Sequence, residues 1–214
     1  MSTPWHRQTW YNLRPKAASP TIEGFVKPGW EAVRDTFTAN FTHRGELGAA
    51  FCVHHRGEVV VDLWGGVADP HTGRAWAEDT PMVVFSSTKG MAALRLLQLT
   101  EQGLFDPDAP VASYWPGFER HGKESITGRM ILNHRAGLSA IDEYLELADF
   151  DGDHARVRAA MEAQRPMWAP DTDQGYGACS YGAFVGELHR RVTDGQSVGE
   201  GFRESIGDPL GLDT

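Results

Sequence analysis

The segment with the clearest chemical potential is Ser86-Ser87-Thr88-Lys89, in which a lysine follows a serine by three residues. In the first turn of a helix, residues three apart share a face, so the Lys89 ammonium group would lie beside the Ser86 hydroxyl. A serine hydroxyl is almost never ionised at neutral pH and needs a neighbouring base before it can act as a nucleophile. A lysine serves as that base only where burial or a nearby charge lowers its pKa. The simpler alternative is a serine that caps a helix, because four-residue patterns also arise by chance.

Tyr176 is the second group that could do chemistry, and it lies in the glycine-rich segment 174–182. A tyrosine whose pKa is lowered by a nearby ammonium group can carry protons to and from a serine. The alternative is a partly buried tyrosine whose hydroxyl is satisfied by its neighbours. Cys179 either lines the same cleft or packs as a small side chain. The tryptophans are expected mostly in the core or at its rim, and Trp115 and Trp168 are the two candidates for contact with an acyl group.

The elements that must position these groups are predicted from hydrophobic periodicity. Residues 82–85 have the apolar character of a strand, and residues 90–102 have that of a helix that Gly103 would end. On this helix Arg95, Gln98 and Glu101 form one polar stripe, so we expect the remaining faces to be buried. Residues 126–134 predict a short capped helix, whose His134 we interpret as a structural hydrogen-bonding residue rather than a base.

Other elements surround this central part. Residues 28–41 predict a helix, and residues 47–54 and 58–65 predict a β-hairpin whose turn contains Gly57 with a positive φ. The segment after Tyr176 predicts an amphipathic helix with Phe184 and Leu188 on its apolar side and with Glu187 facing water. The acidic residues 149–153 indicate a solvated loop rather than a metal site, because the glycine is misplaced for a calcium loop.

Composition limits the possible partners and locations of the chain. Its 214 residues carry a formal charge of −9, which argues against a nucleic-acid partner because phosphate backbones attract a basic surface. No apolar run approaches the length needed to cross a bilayer, so no membrane association is expected. The first twenty residues contain no apolar core of a secretory signal, and two distant cysteines make no disulfide framework. We therefore expect a cytoplasmic protein.

Five segments in order resemble one family, the serine hydrolases of the class C β-lactamase-like fold and particularly the class VIII-type carboxylesterases. The resemblance covers roughly residues 25 to 214. It rests on residues 85–90 around the nucleophile motif, 103–111, 126–138, 175–187 and 208–213.

The resemblance implies an α+β, β-lactamase/transpeptidase-like fold, with an antiparallel sheet, flanking helices and a helical subdomain. It implies Ser86 as the acylated nucleophile, Lys89 as its basic partner and Tyr176 as the proton relay, with no cofactor and no metal. β-Lactamases and peptidases of this fold carry Tyr-x-Asn, and the asparagine helps to hold an amide substrate. Ala178 replaces that asparagine here, which favours esters, while Asp171 replaces the glycine of a preceding Pro-Gly-Thr and affects the loop.

The resemblance also implies a sheet that is incomplete in this chain, because the family's fold continues with further antiparallel strands. One of those strands supplies a second oxyanion-hole N–H group, the first being that of Ser86. Losing one oxyanion donor costs on the order of 3 kcal/mol in barrier height. The hairpin would also keep an uncovered edge, which proteins normally avoid. We therefore expect either a companion C-terminal polypeptide that completes the fold or a fragment that is inactive alone.

Four segments follow from this interpretation: an N-terminal arm (1–24), the first part of the α/β domain (25–85), the nucleophile helix and helical subdomain (86–193), and a returning helix (194–214). The predicted function is hydrolysis of small carboxylic esters through an acyl-enzyme on Ser86. The substrate-lining residues would be Trp115, Trp168, Ala178 and Cys179. One alternative is a β-lactamase, aminopeptidase or penicillin-binding relative that acts on amides. The other is a non-catalytic interaction domain that keeps the fold.

Overall fold

The computed structural model describes residues 21–150 and 154–212, which form two compact units that meet in sequence between Val83 and Val84. The first unit contains β1 (Ile22–Val26), α1 (Glu31–His43), β2 (Gly48–His55), β3 (Glu58–Asp69) and β4 (Arg74–Ala75). The second contains α2 (Thr88–Glu101), α3 (Gly128–Leu132), α4 (Ala155–Ala163), α5 (Ser180–Val192), α6 (Val198–Phe202) and α7 (Asp208–Leu210). Short 3₁₀ helices span Phe85–Ser87, Val111–Ser113 and Leu147–Phe150, and a π-helical turn spans Arg203–Gly207.

The sheet of the first unit is antiparallel with strand order β1-β3-β2, and β4 pairs with the end of β3. The predicted hairpin is confirmed, and Arg56 and Gly57 form its two-residue turn with φ values of 54° and 82°. Two positive φ values are the requirement of a type I′ turn, whose twist matches that of the strands. Within residues 21–150 and 154–212, β2 pairs with β3 alone and is therefore an edge strand.

The first unit buries the apolar face of α1 against β3. Phe37 of α1 and Val60, Val61 and Leu63 of β3 form its core. The predicted helix at 28–41 is confirmed, with its start moved to Glu31 because Gly29 takes a positive φ of 91°. A Glu31 carboxylate accepts the Gly29 N–H and satisfies one of the unpaired donors near the helix start.

Strand β1 was not predicted, since residues 1–24 were assigned to an irregular arm. Residues 22–26 instead pair along their whole length with β3, from Ile22 opposite Gly65 to Val26 opposite Val61. The five-residue segment has polar or glycine positions at 23 and 24, so its sequence alone carries a weak strand pattern. Residues 1–20 of the predicted arm lie outside the described residues.

The second unit has a helical core in which α2 and α5 are central. Leu96 and Leu99 of α2 and Phe184 and Leu188 of α5 are fully or almost fully buried. They join the other buried apolar residues of this core, which include Phe105, Val111, Trp115, Phe118, Ile126, Ile131, Val157 and Met161. The predicted capped helix at 126–134 is confirmed as α3, with the Thr127 hydroxyl accepting the Met130 N–H. This core fixes both helices that flank the candidate chemistry.

The strand predicted at residues 82–85 is wrong. Residues 82–84 have no regular structure, and Phe85 begins a 3₁₀ helix with a φ of 45°, outside the extended region. All four side chains are exposed, and no described strand pairs with them. An apolar run alone was not enough to predict a strand, because a strand also needs a neighbouring strand whose backbone can form hydrogen bonds with it.

The predicted polarity of α2 is also wrong. Arg95, expected on a solvated stripe, is buried, whereas Met91, Leu94 and Leu97 are exposed by 47, 45 and 53%. α2 packs against α5 and α6 through the face that carries Arg95, Leu96 and Leu99. The periodicity correctly identified the helix, but neighbouring helices decided which face became buried.

The predicted amphipathic helix after Tyr176 is confirmed as α5, but one residue is misplaced. Glu187 is buried, and its carboxylate pairs with the Arg191 guanidinium group at 2.8 Å, one helical turn away. An ion pair of this kind lets a carboxylate leave water without remaining uncompensated.

The acidic segment predicted as a loop is only partly described, since residues 151–153 lie outside the described residues. Asp149 lies next to Arg156 of α4, at 2.9 Å from its guanidinium group.

None of the helices that the structure describes has both the length and the apolar character needed to cross a membrane.

Candidate active site

Ser86 occupies the junction between the 3₁₀ helix Phe85–Ser87 and helix α2, which continue directly into one another. Its N–H lies in the first turn of this helical segment, where backbone donors have no partner one turn earlier. Phe85, directly before it, combines the positive φ of 45° with a highly exposed side chain. An uncommon backbone conformation of this kind in a non-glycine residue is often found at functional sites.

The structure brings Ser86, Lys89 and Tyr176 together. Lys89 Nζ donates a hydrogen bond to Ser86 Oγ at 3.1 Å, as the three-residue spacing predicts. Tyr176 Oη lies 2.6 Å from the same oxygen, although the two residues are ninety positions apart. The serine oxygen is thus contacted by two groups that can exchange protons with it.

Lys89 is held by the loop that carries Tyr176 as well as by its own helix. Its Nζ donates to the Ala178 carbonyl oxygen at 2.8 Å and lies 5.0 Å from the centroid of the Tyr176 ring. The Tyr181 ring of α5 lies 5.7 Å from the same nitrogen. Ala178 therefore takes part through its backbone, and its side chain adds no polar group.

The electrostatics of Tyr176 favour loss of its proton. Hydrogen bonding with Ser86, and then with Lys89, lowers the pKa of the Tyr176 phenol, and the Lys89 charge adds to the effect. The nearby Cys179 and partial burial act in the opposite direction and do not cancel the effect. A lowered pKa makes the phenolate of Tyr176 easier to form, and a phenolate next to a serine hydroxyl can accept the serine proton and return it to a leaving group.

The loop around Tyr176 is fastened mainly through its backbone. Ser139 Oγ donates to the Gly175 carbonyl at 2.6 Å, and Trp168 Nε1 donates to the Asp173 carbonyl at 3.1 Å. Arg135 pairs with the carboxylate and the backbone carbonyl of Asp171 at the start of the loop. Asp171, the residue at the family's glycine position, has a φ of 66°, a region that aspartate tolerates better than most residues. These contacts hold the loop in place while the Tyr176 side chain stays exposed.

His134 lies next to the site and binds the glycines on both sides of Tyr176. Its carbonyl accepts the Gly175 N–H at 3.1 Å, and its Nδ1 accepts the Gly177 N–H at 3.2 Å. The interpretation as a structural hydrogen-bonding residue is confirmed. Nothing in the local sequence indicated its partners, because they lie more than forty residues away.

The predicted substrate-lining residues divide into three cases. The prediction for Trp115 is wrong: the ring has no exposed surface, packs against Phe118, and donates from Nε1 to Glu162 Oε1 at 2.8 Å. Trp168 is half-buried and packs against Gly175. A Cβ atom added at Gly175 would come within 2.3 Å of the Trp168 indole ring. Trp168 therefore supports the Tyr176 loop.

Ala178 and Cys179 are both exposed beside Tyr176. The alternative that Cys179 packs as a buried small side chain is wrong, because the residue precedes α5 at the surface. A position at a helix start does not require burial, and the neighbouring Ser180 takes the buried place instead. These two residues stay candidates for substrate contact.

Comparison with known proteins gives a consistent result. The family description Beta-lactamase matches residues 33–214. The Esterase/beta-lactamase LipL of Mycobacterium tuberculosis is 34% identical over 199 residues, which cover 92% of this chain and 45% of the relative. The crystal structure of a family VIII carboxylesterase superimposes with a TM-score of 0.80 and 42% identity, covering 89% of this chain and 52% of that one.

A penicillin-binding protein homologue from Caulobacter crescentus has a TM-score of 0.82 and 41% identity, covering 90% of this chain and 52% of that one. The chain thus spans about half the length of these relatives. The β-lactamase/transpeptidase-like fold predicted from the sequence is confirmed, with a partial sheet of four strands in the described residues. The family description matches most of the chain, and the two solved structures share its architecture. The chain therefore belongs to the beta-lactamase family.

Proposed function

We propose that this chain is the nucleophile-bearing part of a serine esterase that hydrolyses small carboxylic esters through an acyl-enzyme on Ser86. The observation that carries the proposal is the convergence of Tyr176 Oη and Lys89 Nζ on Ser86 Oγ, at 2.6 and 3.1 Å. Both distances are within hydrogen-bond reach, which is the geometric requirement for activating a serine.

In the proposed reaction, Ser86 Oγ attacks the ester carbonyl carbon while its proton passes to whichever of Tyr176 and Lys89 is in its basic form, the phenolate or the neutral amine. The tetrahedral intermediate carries its negative charge on the former carbonyl oxygen, next to the Ser86 N–H. Collapse of the intermediate breaks the bond to the leaving alcohol, which takes up the proton from Tyr176 or Lys89. Water then attacks the acyl-enzyme by the reverse relay and releases the acid, so that Ser86 regains its proton.

Esters are preferred over amides in this proposal because position 178 is an alanine. The family's amide-processing members carry an asparagine there, and Ala178 offers no side-chain amide to hold such a substrate. The relatives include proteins described as an esterase and as a penicillin-binding protein homologue, so the family allows both substrate classes. A parallel assay with p-nitrophenyl butyrate and nitrocefin distinguishes the two.

The proposed nucleophile is tested by a pair of neighbouring serine variants. Ser86→Ala should abolish labelling by a fluorophosphonate probe and turnover of p-nitrophenyl butyrate, because the acyl-accepting oxygen is lost. Ser87→Ala is the matched control, since Ser87 makes no capping hydrogen bond at the start of α2. Undiminished labelling of Ser86→Ala would contradict the proposal. Absence of any labelling in the unaltered chain, alone and with its companion, would favour a non-catalytic interaction domain.

We also propose that activity requires the polypeptide equivalent to the remaining half of the relatives' length, joined to this chain or supplied separately. The exposed apolar face of α2 and the edge strand β2 support this proposal, as surfaces that proteins normally cover. The second oxyanion donor would come from that polypeptide. An intact-mass measurement of the native protein should show either one chain of about twice this length or a separate companion of similar size. A native mass of this chain alone together with full turnover would contradict it.

A cytoplasmic location forms part of the proposal. Its support is the state of the two cysteines, Cys52 and Cys179, which are both free and exposed. Exposed free thiols are typical of proteins in a reducing compartment.

A further inference from the structure

The position of the Tyr176 phenol depends on the backbone of its loop. Its side chain is 57% exposed, and the hydrogen bonds of its phenol go to the reacting groups themselves rather than to a supporting shell. A proton relay at 2.6 Å from its partner loses efficiency with small displacements, and a 1 Å misplacement can cost about 100-fold in rate. The residues on either side of Tyr176 therefore decide where the phenol lies.

Both of these neighbours are bound to one residue. The Gly175 N–H is accepted by the His134 carbonyl at 3.1 Å, and the Gly177 N–H is accepted by the His134 ring nitrogen Nδ1 at 3.2 Å. The imidazole is half-buried between two aromatic rings, with centroids 5.0 Å from those of Tyr176 and Tyr181. One side chain thus fixes the backbone after Tyr176 and packs against the Tyr176 ring.

The contact with Gly177 defines the protonation state of His134. A ring nitrogen that accepts an N–H cannot carry a proton, so Nδ1 is bare and the ring is neutral with its proton on Nε2. Protonation would turn Nδ1 into a donor that faces another donor. Protonation would also place a second cation near Lys89, which is the charged group that faces His134 from α2. The other titratable groups next to the ring are Tyr176 of the loop and Tyr181 of α5.

We propose that His134 is a positioning residue that holds Tyr176 against Ser86 through the Gly177 N–H, and that protonation of its ring releases this hold. The inference rests on the proposed function for its effect on activity, but the hydrogen bond is testable separately. Burial first, and then the Lys89 charge, lower the pKa of His134, so the neutral ring persists to more acidic pH than in a free histidine. Activity should therefore fall on the acid side, with a midpoint at a lower pH than the titration of an ordinary histidine.

The backbone of His134 makes a clean substitution possible. Its φ of 64° lies in the left-handed region, where asparagine and glycine are tolerated without the strain of other residues. In His134→Asn, the side-chain oxygen can take the place of Nδ1 as an acceptor but does not titrate. In His134→Gly, the backbone tolerance is kept and the acceptor is lost.

The experiment follows the rate of Ser86 labelling by a fluorophosphonate between pH 5 and 9, by intact mass, for the chain together with any companion polypeptide. His134→Asn should keep the rate at pH 8 within about threefold and lose the His134 component of the decline on the acid side. His134→Gly should be slower than the unaltered chain by about 10- to 100-fold at pH 8, and this difference should shrink on the acid side, where protonation of His134 removes the same acceptor. Thermal unfolding of both variants checks that the fold is retained.

The hydrogen bond is measured without activity. In ¹⁵N-labelled protein, the Gly177 amide resonance should shift with the titration of His134, and this shift should disappear in His134→Asn. Equal loss of labelling in the Asn and Gly variants, or a Gly177 amide that ignores the His134 titration, would overturn the inference. Absence of Ser86 labelling at every pH, combined with the expected amide shift, would instead overturn the proposed function and leave the hold of His134 on the loop in place.

Discussion

At the scale of single residues, the candidate site depends on one short contact between distant parts of the chain. The Ser86–Lys89 pair is local and follows from helical spacing, at 3.1 Å. Tyr176 reaches the same oxygen from a loop, and its lowered pKa follows from the two partners it finds there. The proton-accepting ability of Tyr176 is therefore a property of the assembled site.

Replacing Tyr176 by phenylalanine tests this assignment. The change removes only the phenol oxygen from an exposed side chain, so the fold should be unaffected, while Ser86 labelling should fall by roughly 10²- to 10⁴-fold, the typical contribution of a positioned acid–base group. In the unaltered chain one phenol should ionise below pH 10 in an ultraviolet titration, because a lowered pKa means that the phenolate forms at lower pH. Tyr176→Phe should lose that component.

The control is Tyr144→Phe, which changes another highly exposed tyrosine of the same unit. It should keep both the labelling rate and the low-pH component of the titration. An unchanged labelling rate in Tyr176→Phe would show that Lys89 alone serves as the base.

At the scale of elements, packing decided what periodicity left open. α5 was predicted as an amphipathic helix and is one, yet Glu187 is buried in an ion pair with Arg191. α2 was predicted as a helix and is one, yet its Arg95 face is inside. Arg95 reaches the contact with α6, where Gly201 provides the space for it and for His189.

Two glycines of α6 give a matched prediction about this contact. A Cβ at Gly201 would lie 2.7 Å from Arg95 Nε and 3.0 Å from His189 Cε1, both in buried side chains, so Gly201→Ala should lower the free energy of unfolding by about 1–3 kcal/mol. Gly199→Ala meets no atom within 4 Å and should be neutral or stabilising by up to about 1 kcal/mol. Urea denaturation of both variants measures the difference. Equal free energies of unfolding would show that the Arg95 side chain can move away from the added methyl group without loss of stability.

At the scale of the whole molecule, the main feature is the surface left uncovered. The chain spans about half the length of its relatives, and α2 exposes Met91, Leu94 and Leu97 along one face. Contiguous exposed apolar surface on a folded unit marks an interaction site or an association hazard. Without a companion polypeptide, this face is expected to bind to copies of itself.

The double variant Leu94→Gln/Leu97→Gln tests the consequence. Both side chains are already exposed, so the melting temperature should change little, while self-association of the isolated chain should decrease in sedimentation velocity measurements. Leu210→Gln/Leu212→Gln is the matched control, because it makes the same change at two exposed leucines outside α2. Equal effects of the two double variants would contradict a specific role for the α2 face.

Much of this protein could be predicted from its sequence because the relevant forces are local. The hairpin turn at Arg56 and Gly57, the helix that carries Ser86 and Lys89, and the cap at Thr127 all depend on neighbours a few residues apart. The glycine-rich segment indicated Tyr176 as a candidate, and family resemblance added its role as proton relay and the overall fold. The strand predicted at residues 82–85 failed because its backbone needs a partner that local sequence does not specify.

By itself the sequence determined the helical spacing of Ser86 and Lys89, because a fixed rise per residue places groups three apart on one face. Only the tertiary structure decided that Trp115 is buried, that Arg95 turns inward, and that His134 holds the glycines on both sides of Tyr176. These outcomes depend on packing and hydrogen bonds between segments far apart in the chain. Such contacts form only when the competing faces of several elements are buried together.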